Sequence, residues 1–493
     1  MKKLKKLLFI CGCFTLGSSV NIAQNVLTLD DAIFIALENS PSIRRSVLNL
    51  ERSQESLNAQ NASLKSKFKL QLNPLQYSKD RRFEDLVSSW NDVESKGSSG
   101  ALSITQPLIW TDGTLSLVDR FGWQKATSDF ANTSSESYFN NLYISLEQPI
   151  FTYNRTKLAL TELELDLENA ALNYAIQQLN ITKTVSESFY AVYQQRLQVQ
   201  ITSDEYVSQK QNYELTQNKV DAGILSKDEL FQAELNMLNS QMSLQNTEVE
   251  LQNQLDLFKQ MIGMDLLNEI DIIADVSHSP VEIDLTKALN SGIRNRMELR
   301  QREIDIENSQ FNLIKTSTTN EFFGNISASY GIIGTHEKVG DIYDHPANQQ
   351  DFNLSFEIPL FDWGERESRI LASKKTIETT ELSYDDQRID IMVAIRSVDR
   401  SLEKLDTQIE ISEISERNAQ LSYDINLERY ANGDLTRIDL ELFQTQLSES
   451  KLNRVNALIS YKLELLNMKI QSLWDFEKNE AVIPDIRFIK EEE

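Results

Sequence analysis

The sequence predicts a mainly α-helical protein with transmembrane β strands, built as an internal two-fold repeat whose copies must associate to close a barrel. Three observations carry that expectation. Apolar residues recur every seven positions over very long runs, shorter segments alternate apolar and polar residues with period two, and landmarks of the first half return at fixed offsets in the second. Only 15 Gly and 8 Pro occur among 493 residues, which favours long uninterrupted elements over a turn-rich fold.

The N-terminus reads as a secretory signal peptide over residues 1–23. Lys2, Lys3, Lys5 and Lys6 form a basic region, Leu7 to Leu16 an apolar one, and Ala23 supplies the small residue before a cut at Gln24. The competing lipoprotein reading, with Cys13 as the cleavage residue, leaves too short an apolar run, and Ile10-Cys11-Gly12 matches poorly. Removal of the peptide takes both cysteines with it, so no disulfide framework is expected. No later stretch reaches 18 apolar residues, which leaves an exported chain that is either soluble or a membrane β-barrel.

The repeat is read from two offsets. Shifted by 256, Leu29, Ala32, Asn39, Arg44, Glu51, Ser53 and Gln54 fall on Leu285, Ala288, Asn295, Arg300, Glu307, Ser309 and Gln310. Shifted by 210, Pro149-Ile150-Phe151 falls on Pro359-Leu360-Phe361, and Ala222-Gly223-Ile224-Leu225 on Asn432-Gly433-Asp434-Leu435. The offsets differ by 46, which marks an insertion of that size in the first half, between about residues 55 and 144. The expected organisation is a first repeat at 24–263 with its helical hairpin at 154–263, a linker at 264–283, and a second repeat at 284–475. The second repeat divides into helices at 284–321, strands at 322–361 and a hairpin at 364–475, and an acidic tail follows at 476–493.

Strands precede each hairpin. Leu142, Ile144 and Leu146 face opposite to Tyr143, Ser145 and Glu147, and Phe352, Leu354, Phe356 and Ile358 opposite to Asn353, Ser355 and Glu357. Ile326, Ala328, Tyr330 and Ile332, and Phe68, Leu70 and Leu72, do the same. Such runs fit tilted membrane strands with apolar residues toward lipid and polar residues toward a lumen; one face of a soluble sheet would look alike. About four strands per chain cannot close a barrel alone, because open sheet edges are excluded from lipid, so a trimer with about twelve strands is the economical expectation. The insertion carries a further candidate hairpin, Leu102 to Ile109 and Thr114 to Trp123. Its string LSITQPLIW resembles ISLEQPIFTY at 144–153, and which of the two enters the barrel stays open at this level, with 138–151 preferred.

The long helices follow. Leu158, Leu165, Leu172 and Leu179, then Val185, Val192, Val199, Tyr206, Tyr213 and Val220, make one seam; Ile370, Ile377, Tyr384, Ile391, Val398 and Leu405 make the other. Seven-residue spacing keeps one stripe facing a partner, and roughly 69 residues span about 100 Å. Glu162, Glu164, Asp166 and Glu168 alternate with leucines in period two; heptad-like flanks favour helix there too. Gly223 and Gly433 end the helices, and Ser226 and Thr436 start the return arms at 226–263 and 436–475, with a capping box expected only at Glu229.

The chain resembles the TolC-like outer membrane efflux proteins over essentially its whole mature length, on LTLDDAIFIALENSPSIR at 27–44, LSFEIPLFDWG at 354–364 and ERYANGDLTRIDLELFQTQL at 428–447. The resemblance implies a homotrimer with one twelve-stranded barrel in the outer membrane of a Gram-negative bacterium. It also implies a periplasmic α-barrel that docks onto an adaptor protein and an inner-membrane pump. Family tunnels narrow at acidic residues past the hairpin glycine. Asp439 matches the first of these and Tyr430 a family tyrosine, whereas Leu442 and Leu435 depart from the pattern.

Without the family, Asp221, Asp228 and Glu229 in one turn and Asp434, Asp439 and Glu441 in the other would form rings of carboxylates around an axis, which attract cations. Solvated capping charge is the plainer reading of any one of them. Gly223, Gly433, Leu225 and Leu435 are expected to shape the tips and the adaptor-docking surface. Net charge of −25 disfavours a nucleic-acid grip. His278, His336 and His345 lack metal-ligand spacing, and no phosphate loop or nucleophile elbow occurs, so neither catalysis nor a cofactor is expected. A periplasmic adaptor usually carries one hairpin per chain, and a soluble or surface coiled-coil tether would not explain the paired strands.

Overall fold

A computed structural model describes residues 25–84, 88–128 and 133–482. The signal peptide read at 1–23, with Cys11 and Cys13, and most of the acidic tail lie outside the described residues. The elements run β1 (Asn25–Leu27), α1 (Leu29–Asn39), α2 (Pro41–Ser63), β2 (Lys67–Glu84), β3 (Ser89–Leu108), β4 (Gly113–Ser128), β5 (Thr133–Ile150), α3 (Arg155–Asp221) and α4 (Lys227–Ile262). The second half follows with β6 (Ile270–Ile272), α5 (Leu285–Asn295), α6 (Met297–Ser317), β7 (Phe323–His336), β8 (Ala347–Glu357), α7 (Glu365–Asn432) and α8 (Arg437–Ser472), and closes with β9 (Trp474–Asp475) and β10 (Glu480–Ala481). No helix among the described residues is long and apolar enough to cross a membrane.

The main sheet has six strands in the order β2-β3-β4-β5-β7-β8, every neighbouring pair antiparallel. This corrects the expected count of about four. The inserted residues do not form a separate outer excursion; they pair into the sheet between β2 and β5, so 102–108 and 138–150 both belong to it. Register explains why. Phe68 lies opposite Ile104, Ile104 opposite Leu117, Leu117 opposite Ile144, and Ile144 opposite Tyr330, which makes one continuous apolar band across five strands. Slipping any strand by one residue would turn its apolar set to the other face. Phe352 and Leu354 extend the band onto β8.

The chain forms two compact units. One comprises, among the described residues, Pro41–Ile181, Ser279–Thr407 and 464–482, and holds the six-stranded sheet. Its helical core joins Leu165, Leu172 and Ala175 of α3 to Met297 and Ile304 of α6 and to Leu473. The period-two acids of α3 are helical, and two of the four, Glu162 and Glu168, are met by cations of α6. Arg300 donates to both oxygens of Glu168 (2.6 and 2.9 Å) and to Glu307 (2.9 Å), and Lys315 pairs with Glu162. These carboxylates raise the Arg300 pKa above its ordinary value, Glu168 foremost.

The other unit comprises, among the described residues, 25–40, Thr182–His278 and Gln408–Leu463, and holds both hairpin turns. Val185, Phe189 and Val192 of α3 are buried, and the Phe189 ring meets that of Phe258 in α4 edge-on at 6.1 Å. The parallel pair β1–β6 is tied to α3 by Arg196, which donates to the carbonyl of Ile272 (2.6 Å) and pairs with Asp271. At the end of α4, Gly263 takes a left-handed φ of 75°, and a Cβ there would stand 2.5 Å from the carbonyl oxygen of Asn39.

Candidate functional site

Both hairpin turns are built by the same local chemistry. A helix that ends without a continuing ladder leaves its last carbonyls unpaired, and a residue of positive φ lets following amides turn back onto them. Gly223 (φ 74°) donates to Val220, and Ile224 to Lys219. Gly433 (φ 86°) donates to Tyr430, and Asp434 to Arg429. The return helices then start on side-chain caps. Ser226 accepts from the amide of Glu229 at 3.4 Å, and Thr436 from that of Asp439 at 3.3 Å. The closer contact is at the second turn, where the Thr436 hydroxyl donates to Oδ2 of Asp439 at 2.6 Å. That contact joins two side chains and does not reach the backbone amide of Thr436, so it is not the reciprocal bond of a capping box. The shorter aspartate reaches its capping threonine because that hydroxyl is itself a donor.

The candidate carboxylates fall into two groups. Asp228, Glu229, Asp434 and Asp439 are exposed around the turns, each in the first turn of a helix or just before it, where the positive end of the helix dipole stabilises negative charge. Glu441 is half-buried and faces α3. There it opposes Glu205, whose pKa burial and the Glu441 charge together push up. Leu225 and Leu435 are half-buried in equivalent positions, two residues past each glycine, and Leu442 stands exposed.

Two further contacts join the long helices to neighbours within this unit. The Lys219 ammonium lies over the Tyr430 ring, 5.5 Å from its centroid, and Ser208 donates to Gln444 of α8 at 3.3 Å. Lys219 and Glu205 were not singled out from the sequence. For Lys219 a signal existed, since the offset of 210 sets it on Arg429, giving a cation one turn before each hairpin glycine. Among the described residues no cluster of His, Cys, Asp or Glu has metal-site geometry.

The chain thus carries an amphipathic sheet left open at both edges and two long helical hairpins. The sequence pattern of the outer membrane efflux proteins matches residues 32–264 and 325–469, and the chain belongs to that family. The fold is similar to the CmeC outer membrane channel of Campylobacter jejuni, with a TM-score of 0.69 at 14% identity over 93% of this chain and 87% of that one. It is also similar to VceC of Vibrio cholerae, with a TM-score of 0.66 at 14% identity over 90% and 95%. The open-state MtrE channel of Neisseria gonorrhoeae matches at 0.64 and 13% identity, over 90% and 88%. No curated protein sequence matches the chain.

Proposed function

We propose that three copies of this chain close one barrel in the outer membrane of a Gram-negative bacterium, and that their helical hairpins form a periplasmic tunnel. The assembly acts as a passive conduit from periplasm to exterior in a tripartite efflux system. It receives cargo through a periplasmic adaptor and an inner-membrane pump, and it is gated at the hairpin tips.

One observation carries this reading. The six-stranded sheet is apolar on one face, polar on the other, and unpaired along β2 and β8, with β8 exposed along its whole length. In lipid, each unpaired amide or carbonyl costs several kcal/mol, so the edges must find partners, and an identical chain supplies the complement of each. The tips add the gate. Asp439, Glu229, Asp434 and Asp228, repeated by symmetry, give rings of negative charge, with Glu441 and Tyr430 on the helices behind them. Gly223, Gly433, Leu225 and Leu435 shape the surface that meets the adaptor. Residues 24–263 and 284–475 act as two equivalent sectors of each subunit, and residues 1–23 direct export.

Reconstitution of the purified protein into planar bilayers tests this. Discrete ionic currents from a three-chain complex are expected, whereas a monomer that leaves the bilayer silent would end the conduit reading.

A further inference from the structure

We infer that the outer-membrane barrel of this protein has eighteen strands, six from each of three chains, because a β hairpin is duplicated in tandem within the first repeat. The outlet is correspondingly wide and water-filled. The inference rests on the three-copy reading above.

The duplication is visible in matched hydrogen bonds. In the hairpin β2–β3, the Gln106 amide donates to the Leu64 carbonyl just ahead of β2 (3.0 Å) and to the Pro107 carbonyl (2.8 Å). In the hairpin β4–β5, Gln148 donates to the Thr111 carbonyl just ahead of β4 (2.6 Å) and to the Pro149 carbonyl (2.8 Å). The same Gln-Pro pair thus locks the base of two successive hairpins, and it occupies equivalent places in the similar strings LSITQPLIW and ISLEQPIFTY.

The second hairpin is anchored as structure rather than tolerated as a loop. The turn between β3 and β4 caps the long helix: Asp112 Oδ1 accepts from the amide of Thr156 at 3.0 Å, and Asn154 donates to the Ile109 carbonyl at 2.6 Å. The apolar side of β3 and β4 continues the band of the other strands through Leu102, Ile104, Leu115 and Leu117, and Asp119 on that side is held by Asn140 at 2.6 Å. From Leu115 to Trp123, about nine residues of a strand tilted by about 40° cover about 23 Å, close to the height of an outer-membrane apolar belt. Past that level the strands carry ion pairs suited to water, Lys79 and Arg81 with Asp92 (3.3 and 3.2 Å) and Lys125 with Glu136 (3.3 Å).

Strand number sets the bore. Eighteen strands about 4.8 Å apart and tilted by about 40° give a diameter of about 36 Å, against about 24 Å for twelve. The polar side of β3 and β4 carries Ala101, Ser103, Thr105 and Ser116 beside Val118 and Arg120, and side chains of this reach do not fill a bore of that width.

Electron imaging of the wild-type protein in lipid nanodiscs, with native mass spectrometry on the same sample, tests the count. Three chains and eighteen strands are expected. Three chains with twelve strands would overturn the inference and leave the channel reading standing, whereas another copy number with six strands per chain would strike the channel reading instead. Single cysteines give a second readout with a membrane-impermeant charged thiol reagent in proteoliposomes. Ser103→Cys and Ser116→Cys should react at least tenfold faster than Ile104→Cys and Leu117→Cys; equal labelling of all four would put β3 and β4 outside the barrel wall.

Discussion

The Lys219 ammonium stacks over the ring of Tyr430, joining the last turn of one long helix to that of the other. An exposed cation–π contact contributes about 0.5–1 kcal/mol, which corresponds to about a two- to five-fold change in an equilibrium. Lys219→Met and Tyr430→Leu should each raise the open probability of bilayer-reconstituted channels by about that factor, and the double variant should do no more than either single one. Additive effects would mean that the two residues act separately and that the contact does not restrain the tips.

Neutralising the exposed acids should act on selectivity rather than on folding. Asp439→Asn retains an oxygen for the Thr436 hydroxyl, and Glu229 caps through its backbone amide, so Glu229→Gln leaves that bond in place. The double variant is expected to lower the cation-over-anion permeability ratio several-fold, read as a shift in reversal potential under a salt gradient. An unchanged reversal potential would remove both residues from the constriction.

The seam between α3 and α8 should respond to pH through Glu205. Burial and the charge of Glu441 raise its pKa above the ordinary glutamate value of 4.5. A raised carboxyl pKa means the folded state holds its proton more tightly than the unfolded chain does. The resulting stabilisation is complete below about pH 4.5 and is lost as pH rises through the raised value. Glu205→Gln should therefore match wild type at acid pH and exceed it in thermal stability at neutral pH. A constant offset between the two melting curves at every pH would contradict this.

Much of the architecture could be read from residue spacing, because a seam such as Leu165, Leu172, Val185 and Val192 states its own period and burial follows from it. The family resemblance and the tip glycines were equally open to reading. Strand membership was not. Each strand of the insertion shows its alternation, but period two says which face is apolar and nothing about which strand is the neighbour, so the four-strand count left out a hairpin that the similar string had already marked as a candidate. The pairings at the tip were hidden for another reason. Lys219 meets Tyr430, and Glu205 faces Glu441, across more than two hundred residues of chain, a separation over which local pattern carries no information.

Gly263 and Gly223 separate the two costs of a side chain at a helix end. Both take left-handed φ angles, 75° and 74°, which disfavour an L side chain by about 1–2 kcal/mol. They differ in surroundings. A Cβ at Gly263 would stand 2.5 Å from the Asn39 carbonyl oxygen and 2.8 Å from its carbon, whereas one at Gly223 meets nothing within 4 Å. The obstruction at Gly263 is backbone at the end of α1, which has no rotamer to yield, so the helix ends must move apart and lose packing around Ile262, a fully buried residue. Gly263→Ala should then destabilise by about 2–4 kcal/mol and Gly223→Ala by about 1–2. Urea unfolding followed by circular dichroism at the helical bands measures both. Equal losses would show that α1 gives way to a methyl group at no cost, and that the join between α1 and α4 is not the fixed point its geometry describes.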